Sequence, residues 1–131
     1  MAAINYIINT KDIMAYNELL ADRIRCLLFE RGADFSEKHM FGGICFMVAD
    51  KMCCATHTDK KTGEDLLLCR VGEAVAETIL GQEHVIPMEF TGKTMKGYVY
   101  VLQSGFKTEK KLLHWLQLCL DYNPLAKKSN K

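Results

Sequence analysis

No stretch of the 131 residues approaches the ~18 consecutive apolar residues that a bilayer span needs. The first segment, Met1-Ala-Ala-Ile-Asn-Tyr-Ile-Ile-Asn-Thr-Lys11, lacks a basic start followed by an apolar core, so no secretory signal is read there. The chain is therefore expected to be cytoplasmic, with no membrane partner. Neither sign of charge dominates: 17 Lys plus Arg stand against 16 Asp plus Glu, a net charge of +1. That balance gives no bulk drive toward nucleic acid. The RNA-recognition sheet pattern and paired zinc-finger spacing are both missing. No internal repeat, linker or low-complexity segment interrupts the chain, beyond a short basic tail, Lys127-Lys-Ser-Asn-Lys131. One domain is expected, long enough to bury a core without covalent staples.

Cys-x-x-Cys is also absent, although six cysteines are present. They are Cys26, Cys45, Cys53, Cys54, Cys69 and Cys119. Zinc needs its ligands gathered around one ion. Cys53 and His57 are four apart on an expected strand, which separates their Cα atoms by about 13 Å. Cys53 and Cys54 are adjacent, so on a regular strand they face opposite sides. The thiols are read as reduced, buried small hydrophobes. No metal and no cofactor is expected.

A reaction centre is missing too. No nucleophile, base and orienting acid stand at workable spacing. His57 and His114 are isolated in sequence. Cys45, Cys53, Cys54 and Cys69 fall in expected strands, not at a helix N-terminus that would lower a thiol pKa. The chain is read as not an enzyme.

What is present is a clear alternation of elements. Leu20, Ile24, Leu27 and Leu28 recur at helical spacing, and Gly32 suits the stop. Residues 33–39 read as a polar connection. Strands are expected over 40–49, 52–58 and 65–71, with a turn at Asp50 and Lys51. A short helix follows from Gly72 and Glu73 to Leu80. Strands over 85–90 and 97–103 come next, the first pushed toward an edge or a bulge by Pro87. A last helix starts at Thr108 as N-cap, carries the stripe Leu112, Leu113, Leu116 and Leu120, and ends near Pro124. The order is αβββαββα, a single α+β domain. Residues 1–13 read as an N-terminal extension dispensable for folding, with Met14 a candidate initiator, residues 14–123 as the domain, and 124–131 as the tail.

Two glycine-bearing segments stand out: Met40-Phe-Gly-Gly-Ile-Cys-Phe-Met-Val48 and Phe90-Thr-Gly-Lys-Thr-Met-Lys-Gly97. Thr91-Gly-Lys-Thr94 imitates the end of a phosphate-binding loop, but Pro87 stands where that motif needs its first glycine, and a strand follows instead of a helix. Gly42 and Gly43 suit either a bulge or a close approach of another backbone. Lys93 and Lys96 are either a solvated pair or an anion contact. Met88 and Met95 bracket the loop, and methionine is adaptable at binding surfaces. The candidate binding residues are therefore Gly42, Gly43, Arg70, Thr91, Gly92, Lys93, Lys96 and Gly97.

An ordered series of motifs runs through residues 14–120: Leu20-Ala-Asp-Arg-Ile-Arg25, Glu37-Lys-His-Met-Phe-Gly-Gly-Ile-Cys-Phe-Met47, Met52-Cys-Cys54, Arg70-Val-Gly72, Pro87-Met88 and the 90–97 segment. In this series the chain resembles the N-terminal domain of the TfoX/Sxy competence-regulator family. The resemblance implies an antiparallel sheet with packed helices, akin to secretion-chaperone-like domains. It also implies a role in regulating natural-transformation genes, together with the cyclic-AMP receptor protein. Full-length members carry a second, helical C-terminal domain, before which this sequence stops, so a stand-alone N-terminal domain is expected. No catalytic residues come with the family. The expected function is a non-enzymatic regulatory or interaction module with a protein partner, transcription machinery being one candidate. The alternative is a small-anion or nucleic-acid-binding domain that uses loop 91–97. The oligomeric state, homodimer included, is left open.

Overall fold

Helix α1 (Asn9–Glu30) opens the structure, a computed structural model that describes residues 9–40 and 42–127, with side chains from residue 18 onward. The first eight residues of the expected extension and the end of the basic tail lie outside that range. Leu20, Ile24, Leu27 and Leu28 form the buried face of α1, as their spacing requires. The chain then enters β1 (Phe35–Met40), β2 (Gly43–Val48), β3 (Lys51–Thr58) and β4 (Asp65–Arg70). A short α2 (Glu73–Ile79) leads to β5 (Val85–Phe90) and β6 (Lys93–Val101), and α3 (Glu109–Tyr122) closes the domain. The expected α+β class and element order are present, with one strand more at the start. Among the described residues no helix is long and apolar enough to cross a membrane.

The extra strand is β1, in the segment read as a polar connection. Its side chains are mostly exposed, so it carries no buried-strand pattern in sequence. It forms because it can pair along its whole length with β2, from Phe35 opposite Val48 to Met40 opposite Gly43. Arg25 on α1 fixes it further, donating to both carboxylate oxygens of Glu37 at 2.6 and 2.7 Å. This two-pronged bond holds the Glu37 carboxyl below its usual range and ties the edge strand to the helix layer.

All pairings are antiparallel, and the sheet runs β1-β2-β3-β4-β6-β5. One face meets the helices. Phe46, Cys54, Leu67, Cys69, Val99 and Val101 are all sealed there, and cross-strand pairs such as Cys54–Cys69 and Cys69–Val99 keep them in one layer. From α3 come Leu112, Trp115, Leu116 and Cys119. Trp115 and Cys119 thus sit inside the stripe, while Leu113 and Leu120 are only partly buried at its margin. Thr108 caps α3 as expected, its side chain accepting from Lys111 N, and Trp115 Nε1 donates to Gly105 O at 2.8 Å.

Two tight hairpins shape the other face. Ala49 and Asp50 both have positive φ, 55° and 61°, the geometry of a two-residue turn whose twist matches the flanking strands. The turn therefore falls one residue earlier than expected, and Lys51 is already in β3. Thr91 and Gly92 repeat this at φ 52° and 80°. Lys93 consequently starts β6, and the expected loop 91–97 is mostly strand. The residues left over in β6 are absorbed by a register shift opposite Pro87–Glu89.

Candidate functional site

The sheet face away from the helices carries a groove of about 590 Å³. A small antiparallel domain with helices on one side leaves the other side of its sheet to solvent or to a partner. Here that side is apolar. Its floor comes from alternate residues of the central strands: Cys45 on β2, Ala55 and His57 on β3, Leu68 on β4, and Tyr98 and Tyr100 on β6. The register sets them side by side, Cys45 against Ala55, Ala55 against Leu68 and Leu68 against Tyr100. The walls come from both ends of the sheet. Met40 and Gly42 reach in from the β1–β2 connection, Lys60 from the β3–β4 loop, and Met88, Phe90 and Met95 from the β5–β6 hairpin.

Two groups of the groove floor that could do chemistry, His57 and Cys45, are held quiet. His57 stacks on Tyr100, ring centroids 5.2 Å apart, and burial pushes its pKa below the usual imidazole value. It is neutral at pH 7. Cys45 donates its thiol proton to Met47 Sδ at 3.6 Å, and burial pushes its pKa up despite the nearby Lys38. It is a thiol, not a nucleophilic thiolate.

The eight residues singled out from the sequence do not converge on one point. Gly42 lines the groove. Gly43 is a packing position: a Cβ there would lie 1.9 Å from Thr56 O. Thr91 and Gly92 make the exposed hairpin turn, and Lys93 and Lys96 are exposed on β6 beside it. Gly97 packs on the start of α2, where its carbonyl accepts from Val71 N and Gly72 N. Arg70 is committed to the protein itself. It donates to Lys127 O at 3.1 Å, makes a long contact of 3.5 Å to Met52 O, and lies 5.5 Å over the Tyr98 ring. Met88 and Met95 do line the groove. The rest of its lining went unread, although the alternation in Tyr98-Val-Tyr-Val101 puts both tyrosines on one face of a strand.

The cysteines overturn one expectation about geometry. Cys53 and Cys54 share the helix side of the sheet, both buried in the same core cluster. The cause is a bulge: the β2–β3 register shifts between Phe46 and Met47, pairing Phe46 with Cys54 and Met47 with Met52. Cys53 is the extra residue, and bulging turns it to the side of its neighbour. Its sulfur accepts hydrogen bonds from Cys119 and Cys54, which pull its pKa down. The same bonds, with burial, push Cys54 and Cys119 well above the ordinary thiol range. Among the described residues no three or more His, Cys, Asp or Glu side chains are grouped to hold a metal. Of the six thiols, only Cys26 is exposed. A thiol reagent should therefore modify about one group quickly in native, non-reduced protein and six after unfolding. Fewer than six in the unfolded, non-reduced chain, or rapid native reaction of several, would show that the cluster is oxidised or open.

No curated protein and no solved structure matches the chain. A comparison with protein families matches residues 28–122 to the TfoX N-terminal domain. The match runs from the end of α1 to the end of α3 and so takes in every strand of the grooved sheet: the chain belongs to the TfoX N-terminal domain family.

Proposed function

We propose that this chain is a non-enzymatic, cytoplasmic regulatory module of transformation competence that works by holding a protein partner on the open face of its sheet. The observation that carries this reading is the apolar groove of about 590 Å³ on that face. Large apolar surface on a small domain is costly in water unless something covers it. The family membership supports the regulatory role, and the quiet chemistry of His57 and Cys45 supports binding over catalysis. The alternative anion site on the 91–97 segment is less well supported, because Arg70 is already bonded to main-chain carbonyls.

Affinity capture from native lysate with three forms of the chain tests the reading. The parent is expected to retain a protein that a Tyr100→Glu variant, with its charge on the groove floor, does not. A Lys93→Ala/Lys96→Ala variant should melt close to the parent, as changes at exposed sites usually do, and should keep much of the binding. If Tyr100→Glu folds and captures the same proteins in the same amounts as the parent, the groove is not the partner site.

A further inference from the structure

The described methionines of this chain are not distributed as core filler. Of the seven in the sequence, five have described side chains. Met40, Met52, Met88 and Met95 line the groove. Met47 stands beside Cys45 on the same face, opposite Met52. None of these five is in the helix-side core. Methionine is unbranched and polarisable, so a surface built of it can repack around a partner side chain of several shapes.

Lysines also outnumber carboxylates around this face. Lys60 lines the groove, Lys38 stands across from Cys45, and Lys93 and Lys96 lie exposed on the hairpin that forms one wall. Against them stand Glu89, the one acidic side chain among the described lining residues, and Asp59, near enough to His57 to act on its charge. No described carboxylate pairs with any of these four lysines, whereas Arg23 and Arg25 on the opposite side are each paired with carboxylates.

The backbone restricts the occupant further. The groove floor is made by β2, β3, β4 and β6, and each of these already has a strand neighbour on both sides. Their N–H and C=O groups are spent in the ladders, so an extended peptide could not pair with them. A segment lying on this face must satisfy its own backbone, and an α-helix does that.

We infer that the groove receives an amphipathic α-helix of a protein partner, with an apolar stripe facing the methionines and tyrosines and flanking Asp or Glu side chains facing the lysines. This rests on the groove being the partner site. Attraction between the carboxylates and the exposed lysines would speed encounter and weaken with salt.

The test uses fluorescence polarisation with the full chain and three labelled peptides. One is a helical peptide with a leucine stripe at i, i+3, i+4 and i+7 flanked by glutamates. The second has lysines in place of the glutamates, and the third is the glutamate peptide broken by two central prolines. The glutamate helix is expected to bind at least tenfold tighter than either of the others. Its advantage over the lysine peptide should shrink in high salt and vanish in a Lys38→Glu/Lys60→Glu variant that melts like the parent. Equal binding of the glutamate and lysine peptides overturns the acidic character, and equal binding of the proline-broken peptide overturns the helix. If no peptide binds while lysate capture still depends on Tyr100, this inference is wrong and the groove reading stands. If capture is also indifferent to Tyr100→Glu, both fall.

Discussion

Replacing Gly43 by alanine should cost about 3 kcal/mol or more, since forcing one extra carbon into a filled site is among the larger single-residue penalties. The added Cβ would sit 1.9 Å from Thr56 O and 2.9 Å from Thr56 C. Both are backbone atoms of a central strand and cannot swing aside. The contact is this close because Ile44 N donates to Thr56 Oγ1 at 2.9 Å, a side-chain acceptor standing where a ladder carbonyl would normally serve. For a domain of this size the loss corresponds to a melting temperature lower by roughly 10 °C or more. Gly42→Ala is the control. A Cβ there meets open space, and only the positive φ of 76° opposes it, a penalty of about 1–2 kcal/mol. Urea denaturation of the two variants decides the matter. Equal stabilities would show that β3 yields at Thr56 and that the glycine pair is only a turn.

The pair also shows what a sequence reading can and cannot resolve. Gly42-Gly43 announced a special backbone, but not that one glycine admits a strand while the other borders a groove. The periodic signals were strong where burial is one-sided and regular. Leu20, Ile24, Leu27 and Leu28 placed α1, and Thr108 with Glu109 placed the start of α3. Strand β1 was invisible because its stability comes from pairing and from the Arg25–Glu37 bond across 12 residues, neither of which leaves a local pattern. The bulge at Cys53 was invisible for a related reason. Strand alternation assumes an unbroken ladder, and one inserted residue reverses the side of everything beyond it. The groove needed both missing pieces. Its floor follows from alternation once the register is known, but its walls come from loops and a hairpin brought together only by the fold. Met88 and Met95 were suggestive because they bracket a turn; Met40, Met52 and His57 gave no comparable sign.

The two-sided character of the sheet should appear most sharply at neighbouring leucines of β4. Leu67 is fully sealed on the helix side, between Thr56 and Val101. Leu68 points the other way, half-buried in the groove floor between Ala55 and Tyr100. A carboxylate at position 67 would be removed from water with no cation to meet it, so Leu67→Asp should cost on the order of 4 kcal/mol or more. Against a typical total of ~5–15 kcal/mol, that variant is marginal or unfolded. At position 68 the new carboxylate still reaches water, and Lys60 lines the same groove. Leu68→Asp should cost only about 1–2 kcal/mol, for the apolar area it gives up. Circular dichroism melts of the two variants, backed by amide NMR spectra, compare them directly. The expected result is a folded Leu68→Asp beside a largely unfolded Leu67→Asp, with partner capture lost in the folded one. If both variants unfold alike, the open face is itself packed in the native protein, and the groove cannot be the place where a partner binds.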